Sequence, residues 1–193
     1  MPNNEIETYC PTGRTDWRKW LETNHQSKQS VWLVFFKTST KVASLSWSEA
    51  VDEALCFGWI DSTKKSIDKE RYMQYFTRRA PNSTWSKINK NKIKHLTRLG
   101  LMAPAGKEAV KIAKQNGSWT ILDEVEKLVI PADLEEGFAK EPNSKERYLN
   151  FSKSVKKSIL YWIISAKRDA TRKNRIEQVA KLAGKNQIPV QFR

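Results

Sequence analysis

Residues 46–78 constrain the fold more than any other segment, because they hold a helix start, a helix stop and two strand-like runs. Ser46-Trp47-Ser48-Glu49 is a capping box, whose serine and glutamate side chains each satisfy a free N–H of the first helical turn. The helix predicted over Trp47–Phe57 ends at Gly58, which suits the left-handed position after a helix. Trp59–Thr63 and Arg71–Arg78 then predict the strands of a hairpin. This order of elements favours an α+β fold.

The rest of the chain extends this prediction with one more strand and several helices. The apolar run Ser30–Lys37 predicts a central strand buried on both faces. Helices, each with an apolar face, are predicted after Thr15, Ser86, Pro104, Pro131, Ser152 and Thr171. The residues predicted to face inward include Trp17, Trp20, Ile88, Leu96 and Leu99. Trp119–Leu128 also has an amphipathic pattern. We therefore expect a small N-terminal sheet of about three to four strands packed with helices, in a domain over residues 1–130, and a helical region over 131–193.

The net charge of +14 is concentrated in two blocks. Residues 71–118 contain eleven basic side chains and one acidic one, Glu108, and residues 152–193 contain eleven basic and two acidic ones. Such blocks attract polyanions such as nucleic acid or an anionic membrane face, although a basic surface that is merely solvated accounts for them equally well. The predicted phosphate contacts are on the last two helices: Lys156, Lys157, Arg168, Arg172, Lys173 and Arg175.

Several classes of protein are disfavoured by what the sequence lacks. It has no apolar stretch long enough to span a bilayer and no pattern of a signal peptide, so a cytoplasmic location is predicted. Cys10 and Cys56 are predicted to be free thiols, with Cys56 in the core. With two histidines, and none of the phosphate-binding or nucleophile motifs, we predict no metal, no cofactor and no recognisable catalytic residue. His25 is interpreted as a hydrogen-bonding loop residue, and the oligomeric state is left open.

Residues 58–89 concentrate polar, charged and aromatic side chains and form the candidate ligand site. Arginine forks bind carboxylate or phosphate, and aromatic rings stack on bases or sugars. The candidate ligand-binding residues are Trp59, Asp61, Arg71, Tyr72, Arg78, Arg79, Ser83 and Trp85. In the structural alternative, Asp61 pairs with Arg71 or Arg78, the tryptophans belong to the core and the serines cap a helix.

The order of motifs resembles the YdeI/OmpD-associated family, also called the bacteriocin-protection family. In the first part of the chain the resemblance is carried by Trp17–Leu21 with Asn24-His25, Val31-Trp32-Leu33, the run Glu49–Ser62, Arg71-Tyr72, Phe76–Arg79, and Ser83–Ser86 with Asn89. In the second part it is carried by Pro131–Leu134, Phe151-Ser152, Tyr161–Ile163 with Ala166-Lys167, and Thr171-Arg172 with Arg175-Ile176. The resemblance implies no established reaction and no catalytic residues, and the family name implies an indirect role in tolerating antimicrobial peptides.

Three functional hypotheses follow. The first is a non-catalytic binder of an anionic partner, either nucleic acid or another polyanion. The alternative is a small-molecule enzyme or ligand-binding protein with an Arg/Trp-lined pocket formed by residues 58–89, in which Trp59, Asp61 and Trp85 line the pocket and Asp61 is the general base. Association of the basic helices with anionic lipid is the third.

Overall fold

The computed structural model describes residues 7–40, 42 and 44–192. The chain divides into two compact units between Thr120 and Ile121. The sequence-based boundary near Pro131 lies later along the chain and stays a prediction.

The first unit is built on a four-stranded sheet with the order β1-β2-β4-β3. Strand β1 pairs in parallel with β2, and β4 is antiparallel to both β2 and β3. A register shift between Asp61 and Lys64 gives β3 one bulge. The strands are β1 Thr8–Tyr9, β2 Ser30–Phe36, β3 Trp59–Ser66 and β4 Arg71–Arg78. The predicted hairpin of β3 and β4 is confirmed.

Strand β2 lies inside the sheet, but only one of its faces is fully buried. Val31, Leu33 and Phe35 are in the core, whereas Trp32 on the opposite face is partly exposed. Val34, on the same face as Trp32, is buried, so the prediction that β2 is buried on both faces holds at Val34 and fails at Trp32. Trp32 is covered in part by Tyr75, with ring centroids 4.8 Å apart, and by the ammonium of Lys65.

Four helices accompany this sheet in the described part of the first unit: α1 Arg14–Asn24, α2 Trp47–Cys56, α3 Lys87–Arg98 and α4 Pro104–Gln115. Helix α2 has the predicted capping box, and Gly58 has φ +74° as predicted. Helix α1 begins two residues earlier than predicted, with Gly13 rather than Thr15 as its N-cap. The cause is Asp16, whose carboxylate accepts hydrogen bonds from the Thr12 backbone N–H at 2.9 Å and the Tyr9 hydroxyl at 2.7 Å.

Helix α3 has the predicted Ser86 cap but a narrower buried stripe than expected. Ile93 and Leu96 are buried, whereas Ile88 is 67% and Leu99 54% exposed, so the prediction that the latter two face the core is wrong. A helix that packs through one narrow face needs only one or two inward side chains per turn.

Helix α4 packs unusually close to the end of α2. A Cβ atom at Gly106 would lie 2.2 Å from the Cys56 carbonyl oxygen, and one at Gly58 would lie 3.1 Å from the Ala105 carbonyl oxygen. Only glycine therefore fits at residue 106. This contact fixes α4 beside the turn that leads from α2 into β3.

The second unit is helical in its described residues. Its helices are α5 Asp123–Glu126, α6 Ala132–Ala139, α7 Ser144–Leu149, α8 Lys153–Ile164 and α9 Asp169–Gly184. They enclose a core that includes Leu134, Tyr148, Ile159, Ile163 and Val179. The fold is therefore α+β, as predicted.

Two predicted boundaries in the second unit are wrong. The amphipathic pattern over Trp119–Leu128 gives only the short helix α5, because residues 119–122 form turns before it and Leu128 adopts a left-handed backbone with φ +60° after it. Helix α9 begins at Asp169 rather than after Thr171, since an acidic residue in the first turn is stabilised by the helix dipole. Within the described ranges, no helix has the length and apolar character needed to cross a membrane.

Candidate functional site

A cavity of about 380 Å³ lies in the first unit, between α4 and the residues that follow α1, α2 and β4. Its apolar wall includes Phe57, Pro81, Ala105, Ala109 and Ile112. Its polar and aromatic lining includes His25, Arg78, Arg79, Trp85 and Glu108. A mainly apolar cavity with a few convergent polar groups is the usual form of a small-molecule site.

Arg79 is the most unusual residue of this cavity. Its Cζ lies 3.6 Å from the centroid of the Trp85 ring, and its Nη2 donates a hydrogen bond to the Thr84 carbonyl oxygen. Its Nε and Nη1 atoms are shielded from solvent and have no hydrogen-bond partner among the described residues. Burial lowers the pKa of Arg79 to about 10, and the charge of Asp61 opposes this effect only in part. Arg79 therefore carries a cation at pH 7 whose solvation is incomplete.

Arg78 adds a second guanidinium at the end of β4. Its Nη2 donates to the carbonyl oxygens of His25, Gln26 and Lys28, at 3.1 Å for the first and the last. These bonds fasten the loop after α1 to β4 and fix the direction of the side chain. The other nitrogens of Arg78 have no acceptor in the part of the chain that the structure describes, so they are available to a ligand.

Local geometry holds the walls of the cavity in place. The Arg79 backbone N–H donates to the Gly58 carbonyl oxygen at 2.9 Å, which ties the end of β4 to the turn after α2. The His25 ring packs on Phe57 with centroids 5.2 Å apart, and its Nδ1 lies 2.8 Å from the Leu21 carbonyl oxygen. Because a carbonyl oxygen only accepts, Nδ1 carries the hydrogen in this contact.

Three of the eight candidate ligand-binding residues line this cavity: Arg78, Arg79 and Trp85. Trp59, which was expected in the pocket, is fully buried in the core and donates from Nε1 to the His25 carbonyl oxygen at 3.2 Å. Asp61 does not line the cavity either. Its Oδ2 accepts from Trp47 Nε1 at 2.9 Å and from Gln74 Nε2 at 3.0 Å.

The other three candidates lie elsewhere in the first unit. Arg71 begins β4, at the opposite end from Arg78, and pairs with Asp68 at 2.8 Å rather than with Asp61. Tyr72 stacks on Phe35 with centroids 5.1 Å apart. The Ser83 hydroxyl donates to the Ala80 carbonyl oxygen at 2.8 Å and stabilises the loop before α3.

The six candidate polyanion contacts of the second unit are mostly engaged within that unit. Lys157 pairs with Glu126 at 2.5 Å, and Arg172 makes two hydrogen bonds to Asp133. Arg175 donates to Ser165 Oγ at 3.1 Å and to the Trp162 carbonyl oxygen, and Lys156 donates to the Leu149 carbonyl oxygen at 2.7 Å. Arg168 and Lys173 are exposed, and no acidic partner lies within 4 Å among the described residues.

Acidic groups also surround Lys173, the exposed lysine among the six candidate polyanion contacts. Lys173 lines a cavity of about 740 Å³ whose other charged residues are Asp133, Glu136, Lys140, Glu141, Asp169, Arg172, Glu177 and Lys181. Charges of both signs alternate there, which weakens the attraction for a polyanion.

The cavity residues that the sequence did not single out lie just after α1, just after α2 and in α4. His25 was interpreted as a loop residue, and Ala105, Ala109 and Ile112 were seen only as part of a helix. The small residues Ala105, Gly106 and Ala109 fall on one face of α4 and could have indicated a close helix contact. Within the described residues, no group of three or more histidine, cysteine or acidic side chains is arranged to hold a metal ion.

Comparison with known proteins gives two matches, which cover different parts of the chain. The family model of a domain of unknown function, DUF8412, matches residues 9–109. The family model described as Bacteriocin-protection, YdeI or OmpD-Associated (OmdA) matches residues 127–186. Neither the curated proteins nor the solved structures gave a match. The chain therefore belongs to the DUF8412 family, and its C-terminal match to the YdeI/OmpD-associated family confirms the resemblance seen in the motifs of its second part.

Proposed function

We propose that the first unit is a binding protein for a small organic anion with an apolar body, such as an aromatic carboxylate. The observation that carries this proposal is Arg79, a partly buried cation that lines a mainly apolar cavity and has two nitrogens without a hydrogen-bond partner among the described residues.

The electrostatics favour an anion over a neutral ligand. A guanidinium that has lost water at two of its nitrogens without gaining an acceptor there interacts more strongly with an incoming carboxylate than a solvated arginine does. Arg78 offers a second positive group at the same cavity, and Glu108, the one acidic residue of the lining, lies 3.6 Å from Lys111, which offsets its charge. The apolar wall supplies the contact for the body of the ligand.

Binding is favoured over catalysis because the proposed general base is engaged elsewhere. Asp61 accepts hydrogen bonds from Trp47 and Gln74 and is outside the cavity lining. A ligand-binding protein is therefore favoured over an enzyme, and its site includes Arg78, Arg79 and Trp85 of the eight residues predicted from the sequence.

The test compares benzoate with its neutral isostere benzamide by isothermal titration calorimetry and thermal unfolding. Benzoate is expected to bind and to raise the unfolding temperature, and benzamide to bind at least about tenfold weaker, because it forgoes the charged contact with Arg79. Equal binding of the two compounds, or of neither, contradicts the proposal.

The variant Arg79→Met separates this role from a structural one. It removes the cation but keeps an unbranched apolar side chain on Trp85, so the free energy of unfolding should change by no more than about 1 kcal/mol. Benzoate binding should be lost. The matched control is Arg71→Met, which removes an exposed arginine paired with Asp68 and should leave benzoate binding unchanged. Retention of binding by Arg79→Met, or its loss in both variants, counts against the site.

A further inference from the structure

A second, separate concavity lies on the first unit between α3 and α4. It has a volume of about 570 Å³, and four lysines line it: Lys90 and Lys94 from α3, and Lys107 and Lys114 from α4. No acidic side chain belongs to its lining. It shares none of its lining residues with the cavity of Arg79.

Two lysines of this groove differ in their partners from two other lysines of the same helices. Lys92 of α3 forms an ion pair with Asp52 at 2.6 Å, and Lys111 of α4 lies 3.6 Å from Glu108. Lys94 and Lys107 are exposed, and neither has an acidic partner within 4 Å among the described residues. The charges of Lys94 and Lys107 are therefore available to an anion that enters the groove.

The groove also contains one aromatic ring held in a fixed position. The ammonium groups of Lys90 and Lys114 lie 5.8 and 5.5 Å from the centroid of the Trp119 ring. Lys90 also donates to the Trp119 carbonyl oxygen at 3.0 Å, and Trp85 packs on Trp119 with centroids 5.0 Å apart. Trp119 is partly exposed, so it presents ring surface to the groove between two cations.

From this combination we infer that the groove binds single-stranded nucleic acid. Lys94 and Lys107 attract the phosphates, and a partly exposed indole stacks on an unpaired base, which a duplex does not offer. The inference places the nucleic-acid partner expected from the sequence on α3 and α4 of the first unit rather than on α8 and α9. It does not depend on the ligand of the Arg79 cavity.

The test measures the affinity of the whole protein for a fluorescent oligothymidylate of about 15 nucleotides as a function of salt. The variant Lys94→Glu with Lys107→Glu changes the groove. The control Lys111→Glu with Lys185→Glu makes the same change in net charge at exposed lysines outside the groove lining.

The groove variant is expected to lose about tenfold or more in affinity at low salt, and its salt slope to fall by about 1.4, since each single-strand phosphate contact contributes roughly 0.7. The control should lose less than about threefold. Trp119→Phe, which keeps an aromatic ring, should bind more tightly than Trp119→Leu. These three results together support the groove.

Any one of three results overturns the inference: equal losses of affinity in the groove and control variants, a duplex of the same length that binds as tightly as the single strand, or anionic phospholipid vesicles that compete at equal charge.

Two variants distinguish the groove from the Arg79 cavity. Arg79→Met should leave oligothymidylate binding unchanged, and the groove variant should leave benzoate binding unchanged.

Discussion

The guanidinium of Arg79 lies over the face of Trp85, with its Cζ 3.6 Å from the ring centroid. The Trp119 ring packs against the Trp85 ring, with centroids 5.0 Å apart. The pair of tryptophans thus connects the cavity that contains Arg79 to the lysine groove that contains Trp119. Helix α4 contributes Ala105, Ala109 and Ile112 to the first site and Lys107 and Lys114 to the second.

Glu53→Gln tests the buried ion-pair network of α1 and α2. The Glu53 side chain is 3% exposed and accepts from Arg14 at 2.6 Å and from Arg18 at 2.7 Å. Removal of its charge leaves two guanidinium groups without their carboxylate, so the free energy of unfolding in urea should fall by about 2 to 3 kcal/mol. Glu22→Gln, which removes an exposed partner of Arg18, should change it by less than about 0.5 kcal/mol. If both variants lost the same free energy of unfolding, the buried carboxylate of Glu53 would not be what stabilises the contact of α1 with α2.

Gly106→Ala tests the close contact of α4 with the end of α2. In a helix interior, alanine is normally more stable than glycine by about 0.5 to 1 kcal/mol. Here the sign should reverse to a loss of about 2 kcal/mol or more, because the new Cβ would lie 2.2 Å from the Cys56 carbonyl oxygen.

The control for this contact is Gly100→Ala, at a left-handed position with nothing within 4 Å of the added Cβ. It should cost only the backbone penalty of about 1 kcal/mol. Thermal and urea unfolding of both variants give the comparison. A stabilised Gly106→Ala protein contradicts the packing described for α4.

The ion pair of Asp133 and Arg172 predicts a pH dependence of stability. The Arg172 hydrogen bonds hold the pKa of Asp133 below its ordinary value of 3.8. Because the unfolded state takes up the proton more readily, this stabilisation is fully present above about pH 4 to 5 and is lost as the pH falls through the lowered pKa.

Asp133→Asn should therefore lower the free energy of unfolding by about 1 kcal/mol at pH 7, a modest figure because the Asp133 side chain is 41% exposed. The difference from the wild type should shrink toward pH 3. Glu124→Gln, at an exposed acidic residue, controls for the loss of one negative charge. A difference that stays constant from pH 7 to pH 3 would show that the charge of Asp133 is not the cause.

The two thiols should react very differently with a disulfide reagent at pH 8. Both cysteines are free, Cys10 is exposed and Cys56 is buried. Burial, together with the nearby charge of Glu53, raises the pKa of the Cys56 thiol to about 11, so little thiolate is present. One thiol per folded protein molecule should react rapidly with the reagent, and Cys10→Ser should remove that rapid phase. Rapid reaction of two thiols per molecule would contradict the placement of Cys56.

Local signals in the sequence predicted those elements whose cause is itself local. The capping box of Ser46 and Glu49, the left-handed Gly58 and the Ser152 cap all depend on residues within one turn. The hairpin followed from two strand-like runs with a short connecting segment between them. Thr15 and Thr171 failed as caps because a nearby aspartate determines the start of each helix.

The candidate site was predicted only in part, because its geometry depends on contacts between distant residues. Arg78, Arg79 and Trp85 were recognised from their chemistry. The partner of Arg71 turned out to be Asp68, three residues away, rather than Asp61 across the hairpin. The wall supplied by α4 depends on the fit of Gly106 against Cys56, which no local pattern specifies.

The measurement that tests the central claim most directly follows the Arg79 Nε–H signal by NMR in protein labelled with ¹⁵N-arginine, with the signal assigned from its loss in Arg79→Met. Because this nitrogen is shielded from solvent and has no acceptor among the described residues, its hydrogen should be observable and strongly sensitive to an anion in the cavity. Titration with benzoate is expected to move the Arg79 signal along a saturable curve with the same dissociation constant as calorimetry, while the Arg71 signal stays in place. A titration that moves the signals of the exposed arginines and leaves that of Arg79 unchanged would contradict the account.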